Sequence, residues 1–206
     1  MVATKVDYTR ELRPLYHAHE LPELVEVPAL RFLMVDGHGG PNGSPTFREA
    51  VEALTSLSQA AKMRVRSLEG IDYRVMPLEG LWWIPNALVW DFADKSDWDW
   101  SLMVMQPEQV TDELLAEVRD RLALRKRLPA LDRVRAGWFE EGLSAQILHV
   151  GPYADERPTL ERLYRFVRDQ GFLPTGKHHE IYLSHPSRTN PERARTIIRQ
   201  PVSPRA

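Results

Sequence analysis

An α+β fold made of two copies of a β-α-β-β unit, related by pseudo-symmetry with a ligand cleft between the halves, is what this sequence predicts. Three observations carry that expectation. The segment FLMVDGHGGPNGSPTFREAVEAL (32–54) runs apolar strand, glycine turn, Pro-Thr-apolar, helix, and AQILHVGPYADERPTLERLYRFV (145–167) repeats the order. Within it, Pro45-Thr46-Phe47 answers Pro158-Thr159-Leu160. Further on, LMVMQP (102–107) answers TIIRQP (196–201), so that Gln106-Pro107 and Gln200-Pro201 close a strand at the same place in each copy. Repetition on this scale marks a body whose halves leave a cleft where they meet.

The elements follow in order from periodicity. Residues 1–24 show little pattern and read as an arm lying on the body, and VPALRFLMV (27–35) is apolar and long enough for a buried strand. Ser44-Pro45 is a helix start: a capping hydroxyl, then a proline whose missing N–H costs nothing at the first position. Phe47, Ala50, Val51, Leu54, Leu57 and Ala61 then recur at helical spacing. DYRVMPL (72–78) and WDWSLMVM (98–105) read as strands, with the irregular, tryptophan-rich LWWIPNALVWDFADKSD (81–97) between them. The first copy thus spans about 25–107. A helix over about 111–127 joins the halves, opened by Thr111-Asp112-Glu113 and ended by Arg125-Lys126-Arg127 in keeping with its dipole. The second copy, about 134–202, starts with an extra strand VRAGWFE (134–140), turns at Glu141-Gly142 into LSAQILHV (143–150), and continues through a helix from 158 to 169 and strands near 178–183 and 195–200. One domain covers residues 1–206 in this scheme.

Composition narrows the function. At 206 residues the chain is long enough to bury a core without staples, and it has no Cys, which removes disulfides and thiolate metal sites. Net charge is −2, from 27 basic and 29 acidic residues, with no basic block, so electrostatics argue against a nucleic-acid partner. The first residues mix acids with bases and contain no apolar stretch, which argues against a secretory signal or membrane anchor and suits a cytoplasmic protein. No cofactor motif stands out: Gly37, Gly39, Gly40 and Gly43 miss the spacing of a phosphate loop and read as turn glycines. His178 and His179 point to opposite sides of a strand, and with His17 and His19 they match no zinc spacing, so no metal is expected.

Strand parity proposes a site. In HHEIYLS, Ile181 and Leu183 share one face and are expected beneath the helices, leaving Glu180 and Tyr182 together on the other. Superposing Arg74-Val75-Met76 on Glu180-Ile181-Tyr182 would bring Met76 to the same cleft. Trp82 and Trp83 are neighbours, so only one can face it. Trp98 and Trp100 share parity with Leu102 and Val104, which gives Trp98 a core character. Glu79, in a Pro-Leu-Glu-Gly turn, is either a second acid near the cleft or a solvated turn carboxylate.

The phrases DGHGGPNGSPTF, MPLEGLWW, WDWSLMVMQP, LSAQILHVGPY, GKHHEIYLSHP and TIIRQPV together resemble the GyrI-like small-molecule-binding family in its stand-alone form, and are similar to its cyclopropanoid cyclopropyl hydrolase subgroup. That resemblance implies a cleft binding bulky aromatic or cationic xenobiotics, with an aromatic cage in which the strained ring of DNA-alkylating spirocyclopropyl compounds is opened. It places the central carboxylate on Glu180 and the aromatic wall on Trp82, Trp83, Trp100, Tyr153 and Tyr182, with a weaker match at Trp90 and Trp138. Apolar surroundings favour the protonated form of a carboxylic acid, so such a group can exchange protons near neutral pH and activate water. A tyrosine hydroxyl, from Tyr153 or Tyr182, would stabilise the emerging phenolate. The alternative function is a module that binds such ligands without consuming them.

Overall fold

The computed structural model describes residues 3–41, 44–85, 97–184 and 189–205. In chain order the elements are β1 (Thr4–Val6), α1 (Tyr8–Glu11), α2 (Arg13–Tyr16), β2 (Glu23–Val27), β3 (Leu30–His38), α3 (Pro45–Glu69), β4 (Ile71–Tyr73), β5 (Leu78–Trp83), β6 (Asp99–Met105), α4 (Asp112–Ala123), β7 (Arg135–Phe139), β8 (Gly142–Val150), α5 (Arg157–Asp169), β9 (Phe172–Pro174), β10 (His178–Tyr182) and β11 (Arg195–Pro204). Nearly all the strands join one antiparallel sheet in the order β2-β8-β11-β10-β5-β6-β3-β7, with β9 paired to the end of β11. β1 and β4 form a separate parallel pair.

The order reads the same from either end. From the centre outward, β10-β11-β8 mirrors β5-β6-β3, and each triplet follows the pattern strand, helix, strand, strand along the chain. The outermost strands are exchanged: β2, which leads into β3, pairs with β8, whereas β7, which leads into β8, pairs with β3.

That exchange bends the sheet. Val27 and Leu30 are three residues apart, a reach of about 11 Å at most, yet they begin and end connections between the first and seventh strands of the order. A flat sheet would separate those strands by roughly 29 Å, so the sheet curls until its ends approach. The direction is fixed by Glu141 in the β7–β8 link, whose carboxylate lies 3.0 Å from Nδ1 of His179 on the central strand β10. The face carrying His179 is therefore the concave one.

Within the curl, Phe32, Met34, Met103, Met105, Ile181 and Ile197 bury one another together with Leu15 and Tyr16 of the arm. A polar chain runs through this interior. The Tyr16 hydroxyl donates to Glu79 (2.7 Å), His179 joins Glu79 to Glu141 (3.0 Å each), and Arg199 reaches Glu141 (3.3 Å), Gln146 and the Leu15 carbonyl. Burial on its own would lower the His179 pKa, but the Glu141 charge and hydrogen bonds to both carboxylates push it up to about 9. Glu79 is thus a fully enclosed strand residue and not a solvated turn acid, and it lies on the sheet face opposite Glu180.

The helices occupy the convex face. Ser44 caps α3, its Oγ accepting from the Phe47 N–H, Pro45 fills the first position, and Gly70 at φ 68 ends the helix in the left-handed conformation. Ala50, Ala53, Leu54 and Leu57 of α3 pack toward Leu33, Val35, Leu102 and Val104, and Leu160, Leu163 and Val167 of α5 toward Ala145, Ile147 and Ile198. This reverses one expectation: Ile181 faces the arm side, and Glu180 and Tyr182 lie on the helix side, between α3 and α5. The expected strand 72–78 is also corrected. It is the short β4, paired only with β1, and the sheet strand begins at Leu78 and includes Trp82 and Trp83. Carrying the Gln106/Gln200 equivalence through the ladders makes Leu78 the counterpart of Glu180 and Gly80 that of Tyr182. Met76 is no counterpart of Tyr182; it is buried in the link between β4 and β5.

Candidate functional site

The central ladder places the chemistry. On β10, alternate residues His178, Glu180 and Tyr182 share the convex face, and across the ladder they meet Trp82, Gly80 and Leu78 of β5. On the other side Tyr182 pairs with Thr196 of β11, and Thr196 with His149 of β8, extending a polar row toward α5. His149 is held by Thr159 and the Pro152 carbonyl, both at 3.1 Å.

Glu180 is only 3% exposed. The Tyr182 hydroxyl donates to its Oε2 at 2.7 Å, and the Trp82 indole N–H donates to the Tyr182 oxygen at 3.2 Å. Nε2 of His178 stands 3.4 Å from Oε1 of Glu180. Gly80 makes the arrangement possible: a Cβ there would sit 2.8 Å from the Trp82 Nε1 and 3.1 Å from the Tyr182 hydroxyl. The indole crosses the strand over a residue with no side chain.

Aromatic rings extend from the acid's tyrosine partner and its indole. Phe47, from the first turn of α3, stacks on Trp82 (5.9 Å, 21°) and meets Trp100 edge-on (5.3 Å). Trp98 contacts Trp82 edge-on at 6.2 Å and is fully buried, as its parity indicated. Tyr153 lies edge-on to Tyr182 at 5.8 Å and, at 38% exposed, is the part of the wall that reaches solvent. Burial, followed by the charges of Glu180 and Glu156, pushes the Tyr153 phenol up to about 12. Burial and Glu180 likewise hold Tyr182 well above the ordinary phenol range. Both phenols are therefore hydrogen-bond donors at any ordinary pH.

The expected site residues divide. Glu180, Tyr182, Tyr153 and Trp82 come together. Trp83 points to the concave side, where Nζ of Lys177 lies 3.2 Å from its ring centre. Trp100 is sealed behind Phe47, its indole N–H bonded to the Gly39 carbonyl and its ring resting on Gly37, so it backs the wall and does not face a ligand. Trp138 is on the edge strand β7, four strands from β10 in the sheet order, and 73% exposed. It belongs elsewhere. Trp90 lies outside the described residues. The sequence reading missed Gly80, Phe47, Thr196 and Glu156, a buried acid at the start of α5. A glycine inside a strand was the available signal for Gly80. Among the described residues no three His, Asp or Glu side chains gather as a metal site, and no helix is long and apolar enough to cross a membrane.

A family model described as the GyrI-like small molecule binding domain matches residues 21–203. No curated protein matches. Among solved structures, an uncharacterised conserved protein of Listeria innocua is 36% identical, with 96% of this chain and all of that chain covered and a TM-score of 0.88. A hydrolase of Listeria innocua is 35% identical, with 97% of this chain and all of that one covered at a TM-score of 0.87. The EcmrR C-terminal domain shares the fold at 13% identity and a TM-score of 0.55, covering 89% of this chain and 97% of its own.

Proposed function

This chain belongs to the GyrI-like small-molecule-binding family, and from that premise we propose that the Glu180 cluster receives flat aromatic ligands and opens the ring of spirocyclopropyl cyclohexadienones by adding water. The observation that carries the proposal is a buried carboxylate bonded to one tyrosine and walled by a second, with an indole and a phenyl ring alongside. The likeness to a Listeria innocua hydrolase over nearly the whole chain supports catalysis over binding alone.

In the proposed step, water attacks the cyclopropane CH2 and the spiro carbon–CH2 bond breaks. Its electron pair moves through the ring to the dienone oxygen, which becomes a phenolate and takes its proton from solvent on release, as Glu180 returns its own. Glu180 takes the proton from water. Ring strain and aromatisation drive the change, so positioning, a base and a hydrogen-bond donor suffice. Tyr182 already spends its proton on Glu180 and acts as a positioning residue, whereas Tyr153, at the exposed edge, is the donor to the dienone oxygen.

Mass spectrometry of a spirocyclopropyl dienone incubated with the protein tests this. Wild type is expected to yield the adduct of one water, Glu180→Gln to slow its formation by about a hundredfold, and Tyr153→Phe to lower kcat with KM little changed. Tyr182→Phe should instead shift the pH profile. Turnover by Glu180→Gln at the wild-type rate would remove the carboxylate from the chemistry. Binding without any water adduct from wild type would make the protein a sensor or sequestering module.

A further inference from the structure

We propose that the groove where the arm crosses the ends of β3, β6 and β7 is a second ligand site, specific for flat organic cations. It shares no lining residue with the Glu180 cluster and lies on strands β3, β6 and β7, two to four places from β10 in the sheet. The groove has a volume of about 430 Å³, within the range of small-molecule pockets. Leu12, Leu30 and Met105 give it an apolar floor drawn from three separate segments, and Trp138 stands at its side with most of its indole in solvent. An exposed indole face against an apolar floor gains from stacking, and gains more from a cation.

Charge selects the ligand. Glu11 and Glu108 both line the groove. After burial, the charges of Glu11 and Glu108, with a smaller one from Glu69, push the Tyr8 phenol upward against the Gln109 hydrogen bond, so the fields of both groove carboxylates reach a ring inside the groove. Arg31, the cation of the lining, is already engaged by the Asp112 carboxylate and the Val110 carbonyl. What remains open to a ligand is negative. Tyr8 is also fixed in place, its hydroxyl donating to Gln109 at 2.8 Å and its ring meeting Tyr73 edge-on at 5.7 Å. A rigid aromatic pair with two carboxylates nearby suits a quaternary aromatic nitrogen and disfavours an anion.

The test titrates 15N-labelled protein at low salt with 1-methylquinolinium and, separately, with neutral quinoline at pH 8, following the tryptophan indole N–H signals. Tryptophan-to-phenylalanine variants at Trp138 and Trp82 identify the two reporters. The Trp138 signal is expected to move saturably with the cation, with affinity about tenfold weaker for quinoline. The double variant E11Q/E108Q should lose about that factor for the cation and leave quinoline unchanged. A Trp138 signal that stays still while Trp82 moves would overturn the proposal, as would equal response to both probes. The Trp82 signal reports the central cluster, so the two sites can fail separately.

Discussion

At Gly80 a single methyl group decides the candidate site. Gly80→Ala would force the Trp82 indole and the Tyr182 hydroxyl apart from positions 2.8 and 3.1 Å from the new carbon. Overpacking of this kind costs about 1–3 kcal/mol, so a lowered urea midpoint and a loss of ligand-induced tryptophan quenching are expected together. Retained quenching in a folded variant would mean that the Trp82–Tyr182–Glu180 chain does not form the site. Gly37 obeys the same logic on a structural wall, its hypothetical Cβ meeting the Trp100 ring at 2.1 Å. Sequence parity was enough to pair Glu180 with Tyr182, because a strand has a fixed period of two. It could not supply Thr196 or Gly80, whose nearness depends on the register of neighbouring strands. Trp138 shows a different gap: the family resemblance placed it, by a weaker match, on the aromatic wall, yet the exchange of edge strands puts it on β7 at the end of the strand order.

Among the elements, α3 was the most legible, since 25 residues give the helical period many repeats and both caps are written in residue types. Ser44→Ala removes the acceptor for the Phe47 N–H and is expected to cost about 1 kcal/mol, measurable as a shift of the urea midpoint without change in slope. Because Phe47 stacks on Trp82, the same change should loosen the aromatic wall. β5 was misplaced for a physical reason. Leu81 and Trp82 pack on opposite sides of the sheet and both are buried, so LWW shows no polar alternation. DYRVMPL does alternate, but Pro77 lacks the N–H a ladder needs, and its sheet pairing starts one residue later. The arm shows little pattern in the sequence because α1 and α2 are four residues each, too short for a period to appear. Its order comes from long-range bonds, such as Tyr16 to Glu79, that no local pattern announces.

For the molecule as a whole, the interior chain from Tyr16 through Glu79, His179 and Glu141 to Arg199 binds the arm, the central strands and the β7–β8 link into one unit. Its stability contribution depends on pH. The His179 pKa is raised in the folded protein to about 9 from 6.5, so its stabilisation is complete below pH 6.5 and is lost as pH rises through 9. The loss amounts to about 3 kcal/mol at most. Urea midpoints at pH 6.5, 8 and 9.5 should fall in that order, and His179→Gln should flatten the trend; a flat wild-type profile would remove His179 as the cause. The exchanged edge strands bear on how such a molecule can be divided or joined. A gene encoding one copy alone would give a subunit whose leading strand has no neighbour of its own, so it would be completed only by a sister subunit lending the same strand in return. In such a homodimer every position would be duplicated, and a glutamate at position 180 would bring a second one to the place of Leu78, diagonal to it and about 7 Å away in a dry interior that tolerates one such charge poorly and two hardly at all. Encoding both copies in one polypeptide removes that constraint: one half contributes the acid and the phenol, the other a leucine and a glycine, and the carboxylate stands without a symmetry mate.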